Sequence, residues 1–219
     1  RSGRSDLCLR ERAEAVVDRL IKSWWAPVVG IYASARLISF AFFLAIASIQ
    51  EDNYWTPANP GYFDFLNIWD VEWYERIYSG GYPAKLPQNL DGSIQQNNWA
   101  FYPVFPYLIR GLNVLTTIEW KYLAPIVATI IGFFFILVVY KLIRLTQSQS
   151  VSLWSISLVS VSMASPILQT GYAESLSLFL FACFPPISFV ANLWAIPVIG
   201  NIMTPVIVVA SLFHFSWII

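Results

Sequence analysis

Residues 27–49 form an unbroken apolar run that carries a single charge, Arg36, and the 22 residues from Arg1 to Lys22 hold six of the thirteen Lys and Arg of the chain. The run meets the ~20 residues that a helix needs to cross the hydrocarbon core of a bilayer. It exceeds the apolar region of a signal peptide and no small-residue cleavage pattern follows, so it reads as a retained anchor. Its basic flank belongs in the cytoplasm by the positive-inside rule, which places the loop 50–98 on the other side. That loop holds seven of the thirteen acids, so a formal net charge of zero hides a strong asymmetry.

Composition extends the same reading to the whole chain. Hydrophobic residues make up 57% and charged residues only 12%, with a mean hydropathy of +0.59, as in an all-α polytopic membrane protein. Further apolar spans cover 122–142 and 151–168, parted by a polar break at 147–150. No extended basic face is available to release counterions from phosphates, so nucleic acid is not expected as a partner. Cys8 and Cys183 lie in unlike surroundings and predict neither a disulfide nor a metal site. There is no Asp-x-Asp pair, glycine-rich phosphate loop or histidine cluster, and no metal or other cofactor is expected.

Arg36 has two readings. Its long side chain can snorkel to the headgroups, or it can face a polar cavity and pair with a carboxylate or phosphate. In the loop, residues 68–78 contain no helix breaker. As a helix they place Asp70, Trp73, Tyr74 and Ile77 on one stripe, while Glu72, Glu75 and Arg76 project elsewhere. Trp69, Trp73 and Tyr74 favour the headgroup layer, so an interfacial helix is predicted with Asp70 at the depth of a lipid phosphate. The plainer alternative is an aromatic belt with Asp70 as a helix N-cap.

A second cluster spans residues 99–107, where Pro103 and Pro106 make the backbone irregular. It is either the wall of a water-filled cavity or the kinked start of a helix. A third, Gln169 to Ser175, contains Tyr172 and Glu174, the last charged residue of the chain. Glu174 is either a solvated turn residue or a partner for Arg36 or a ligand hydroxyl. If residues 101–115 only dip into the interface, Tyr172 and Glu174 share the side of Asp70; if they span, the two lie opposite. Lys141 and Arg144 favour the first arrangement, and Lys121 weakly opposes it.

Trp69, Asp70, Trp73, Tyr74, Ile77, Gly81 and Tyr82, then Phe101, Tyr102, Pro103 and Pro106, then Tyr172, Glu174 and Ser175 together resemble the polyprenyl-phosphate-mannose-dependent mannosyltransferases that add the second mannose of GPI anchors. Those enzymes and their prokaryotic relatives belong to the GT-C glycosyltransferases. The resemblance covers residues 27–181 and implies a GT-C-like helical bundle with an acidic catalytic residue in the first non-cytoplasmic loop, here Asp70. The chemistry suits these residues: a sugar on a lipid phosphate is already activated and needs one carboxylate as base and groups to steady the departing phosphate. Arg36 and Arg76 are the candidates for the phosphate. Trp69, Trp73, Tyr74 and Tyr102 are candidates for the sugar and polyprenyl chain, with Tyr82, Tyr172 and Glu174 completing the substrate site.

The expected function is therefore transfer of mannose from a polyprenyl-phosphate donor to a lipid or glycan acceptor, in contact with membrane lipids. The membrane would be the cell membrane in a prokaryote or that of the endoplasmic reticulum in a eukaryote. The alternatives are a GT-C transferase for another sugar and a non-catalytic membrane protein, whether transporter, scaffold or inactive fragment. Three segments are expected: a basic cytoplasmic segment 1–26, a membrane domain 27–183 and an apolar tail 184–219. From Ser175 to Ile219 there is no Asp, Glu, Lys or Arg, so the tail reads as truncated or frameshifted and the bundle as incomplete.

Overall fold

In a computed structural model of the chain, residues 23–183 are described; the basic segment up to Lys22 and the apolar tail from residue 184 lie outside them. Among the described residues all regular structure is helical. The seven α-helices are α1 (Ala26–Ala47), α2 (Tyr62–Leu66), α3 (Val71–Gly80), α4 (Val104–Thr116), α5 (Trp120–Arg144), α6 (Gln149–Val161) and α7 (Glu174–Cys183). Two of them, α1 and α5, are long and apolar enough to cross a membrane.

Helix α5 is the axis on which the others pack. Helix α1 runs antiparallel to it: Trp24, just before α1, stacks on Tyr140 near the end of α5, and Lys141 lies over the Trp24 ring. Midway, the Tyr32 hydroxyl donates to the Thr129 carbonyl at 2.8 Å. The two helices approach closely because α5 has Gly132 there. A methyl group at Gly132 would fall 2.5 Å from the Tyr32 hydroxyl and 3.1 Å from Leu168 Cβ. With the fully buried Ala124 and Ala128, Gly132 makes a stripe of small residues at four-residue spacing, which lets neighbouring backbone lie directly on α5.

That neighbouring backbone is where the expected span 151–168 departs from the structure. Helix α6 stops at Val161, and the chain then runs irregularly through a 3₁₀ turn at Ser165–Gln169 before α7 begins. Pro166 has no N–H to continue a helix, and Ser152, Ser155 and Ser157 donate back to carbonyls one turn earlier, bonds that compete with the helix ladder. Hydropathy alone does not register these breaks. The irregular segment climbs α5, with Leu168 against Gly132 and Gly171 against Ala124 and Pro125.

Pro125 inside α5 leaves the Lys121 carbonyl without its helical partner. Asn67, from the loop after α2, supplies a donor at 3.3 Å. Beside it Lys121 forms an ion pair with Asp64 of α2. Prolines open α4 without cost, since Pro103 and Pro106 sit where the first-turn N–H groups have no helical acceptor. Residues 99–107 are thus the irregular start of a helix.

Candidate functional site: the junction of α3 with the irregular segment before α7

The helix expected over 68–78 begins later, at Val71, because Trp69 adopts the left-handed conformation at φ 55°, which a bulky residue rarely occupies. Asp70 then holds the N-cap position, but its side chain makes no capping hydrogen bond, so its carboxylate is not committed to the helix as the capping reading required. Its backbone carbonyl accepts from the N–H groups of Trp73 and Tyr74 at 3.1 and 3.3 Å.

The stripe that α3 buries is Val71, Tyr74 and Ile77. With Phe105 and Ile109 of α4, Trp120, Leu123 and Ala124 of α5, and Ala173, Val71 and Tyr74 form one hydrophobic cluster. Tyr74 meets Phe101 and Phe105 edge to face, and Phe105 meets Trp120 the same way, each pair contributing about 0.5–1.5 kcal/mol beyond its buried area. Trp73 faces the flank of this cluster, stacked on Phe101 with the Arg76 guanidinium 4.6 Å over its ring. Arg76 is also paired with Glu72 one turn earlier.

Besides Trp73 and Arg76, the site residues expected from sequence fall into three groups. The first comes together. The Tyr172 hydroxyl donates to the Ile68 carbonyl at 3.3 Å, which brings the segment before α7 to the start of α3. Burial, and after it the Asp70 and Glu174 carboxylates, push the Tyr74 and Tyr172 hydroxyls well above the usual phenol range. Asp70, Tyr74, Tyr172 and Glu174 therefore share one end of the bundle.

The second group lies along the loop. Tyr82 donates to the Phe101 carbonyl at 2.7 Å and packs on Trp99 with ring centroids 4.5 Å apart. Trp69 and Tyr102 are exposed. The third group is Arg36 alone, and its partners were not legible in the sequence. It is buried, donates to the Ser165 carbonyl, and reaches the Ser160 carbonyl and Ser165 Oγ at 2.8 and 2.9 Å. Ser160 lies in the last turn of α6, where carbonyls lack helical donors and the helix dipole is negative. Neither snorkelling nor phosphate pairing accounts for this geometry; Arg36 fastens the broken end of α6 to α1.

Other side chains that sequence reasoning passed over sit beside this seam. The Gln169 amide, buried, lies 3.3 Å from the Tyr62 hydroxyl. Both line an open pocket of about 220 Å³ with Phe63, Pro125, Ile126, Thr129 and Ile130. Pro125, a proline inside an apolar span, was the available signal. Among the described residues no group of His, Cys, Asp and Glu is arranged to hold a metal ion.

Burial raises the Asp70 carboxyl above its ordinary value. The folded chain thus favours the protonated form, so the stabilisation is present at low pH and is lost as pH rises from the ordinary carboxylate range through the raised value. Asp70→Asn should remove this dependence. The gain in thermal midpoint of Asp70→Asn over the parent should grow from pH ~4 to neutrality; a constant difference would mean that Asp70 is not buried in the folded protein.

A protein-family model described as "Competence protein" matches residues 105–219, just over half of the chain. No curated protein and no solved structure matches. The family match overturns the mannosyltransferase and GT-C resemblance, and with it mannosyl transfer, the polyprenyl-phosphate sugar donor and the lipid or glycan acceptor. It also withdraws the exclusion of nucleic acid, since competence is the capacity to take up DNA. The physical reason is visible in the motifs. Tyr74, Phe101, Pro103 and Pro106, which carried the resemblance, are here packing and helix-initiating residues. The lack of an extended basic face argues only against a surface that holds DNA by its phosphates. Of the readings drawn from sequence, the non-catalytic membrane protein fits the match better.

Proposed function

The chain belongs to the competence protein family, and on that premise we propose that it is a multi-pass membrane component of DNA uptake, guiding DNA rather than transferring a sugar. The family match carries this reading. In it, α1 and α5 cross the bilayer, the end bearing Trp24, Lys141 and Arg144 is cytoplasmic, and the end bearing Asp70 and Tyr172 is outside.

The interruption between α6 and α7 is compatible with a transport role. Irregular backbone at membrane depth is tolerated where protein buries it or where it lines a cavity, and broken helices are a recurring feature of transporter binding sites. Here the break brings Ser160, Ser165, Gln169 and Tyr172 into a seam that runs from Arg36 to the Asp70 end. The open pocket beside that seam, lined by Tyr62, Thr129 and Gln169, is the candidate site for DNA.

In a naturally competent host carrying this protein, deleting its gene should abolish transformants by chromosomal DNA, and the full chain supplied in trans should restore them. Unchanged transformation in the deletion strain would refute the reading.

A further inference from the structure

Helix α4 has two apolar faces and only one of them is packed. Phe105, Pro106 and Ile109 are buried against α3 and α5. On the other side Val104, Tyr107, Leu108 and Leu115 are exposed, with Val114 also outward and the last two 80% and 77% open respectively. Their spacing of three, four and seven residues makes a continuous ridge along the helix. At thirteen residues and 1.5 Å per residue, α4 is about 20 Å long and too short to cross a ~30 Å hydrocarbon core.

Both ends of α4 belong to the same end of the bundle. Its C-terminus is joined to the first residue of α5 by Thr117, Ile118 and Glu119. Near its N-terminus, Phe101 is bound by Tyr82 and packed on Trp73 and Tyr74 of α3. We infer that α4 lies in the plane of the membrane, with the Val104, Leu108 and Leu115 ridge seated in the acyl region of the leaflet on the Asp70 side. Lipid is the occupant that the surroundings specify. Helix α4 leads through three residues into a helix of membrane-crossing length, and exposed Trp99, Tyr102 and Tyr107 flank its N-terminal end, the residue types that settle at the headgroup layer. Arg110, exposed on the same helix, is placed to meet lipid phosphate. The inference rests on α5 crossing the membrane and not on a role in DNA uptake.

Single cysteines at Leu108 and Leu115, with Cys8 and Cys183 replaced, would carry nitroxide labels in the full chain reconstituted into phosphatidylcholine–phosphatidylglycerol vesicles. Collision with oxygen, which partitions into lipid, should exceed collision with a water-soluble nickel complex at both positions, while a label at Asp91 in the exposed loop shows the reverse. Nickel access at Leu108 and Leu115 equal to that at Asp91 would place the ridge in water. Protection from both agents would place it against protein, such as a second copy. Either result overturns the inference. Both positions are exposed, and unchanged circular dichroism of the labelled chains guards against misfolding.

Discussion

Arg36→Leu should free the seam between α6 and α7 while leaving α1 inserted. The guanidinium supplies three donor contacts, to the carbonyls of Ser160 and Ser165 and to Ser165 Oγ. No helical donor can replace it at Ser160. Hydrogen bonds to a charged group contribute about 1.5–3 kcal/mol each, and a buried acceptor left unpaired costs about 1–3 kcal/mol. Removing the cation also relieves ~2.5 kcal/mol of insertion cost. That relief applies to α1 whether or not it is packed, so it leaves the packing loss largely uncompensated. The expected net loss is about 2–4 kcal/mol of bundle stability. Ser160 is fully buried. A cysteine placed there, in a background without Cys8 and Cys183, should react with a small thiol reagent faster by about one to three orders of magnitude after Arg36→Leu. Arg36→Lys should fall between, since an ammonium lacks the planar fork that reaches two carbonyls together. Equal labelling in all three backgrounds would mean that Arg36 does not hold the break closed.

The second large effect belongs to Gly132. A side chain there meets the Tyr32 hydroxyl, Leu168 Cβ and, at 3.3 Å, the Leu168 backbone carbonyl. The tyrosine could move only by giving up its bond to Thr129, and the Leu168 backbone is fixed within the 3₁₀ turn that lies against α5. Gly132→Val should therefore cost about 3 kcal/mol or more, at or beyond the upper end of ordinary overpacking. Gly30 of α1 is the internal control, because a methyl group added there meets nothing within 4 Å. Gly30→Ala should be neutral or slightly stabilising through helix propensity. Thermal midpoints of the two variants in the same detergent separate these outcomes, and similar midpoints would contradict the close approach of α1 to α5.

The contrast between Arg36 and α5 shows how much the sequence could reveal. Helix α5 was legible because an unbroken apolar run has one stable form in lipid, and the observed Trp120–Arg144 extends the expected 122–142 by two residues at each end. The end of α6 was not, since hydropathy averages over the serines and Pro166 that stop the helix. The charges at the end of α5 favoured placing Tyr172 and Glu174 on the side of Asp70 without deciding it, since Lys121 opposed it. The partners of Arg36 could not follow from any motif, because backbone carbonyls have no sequence signature. Aromatic motifs misled in the opposite direction: Tyr74 and Phe101 would look the same whether they bind a substrate or fill a core, and only packing distinguishes the two.

The central claim is that DNA passes this chain during uptake at the open pocket lined by Tyr62. In competent cells, a photoreactive benzoyl-phenylalanine at Tyr62 or at Phe42, an exposed residue of α1, would be irradiated while end-labelled DNA is being taken up. Labelled DNA should be captured at Tyr62 and not at Phe42. Absence of adducts at both positions, or equal capture at both, in cells that still take up DNA would contradict the account.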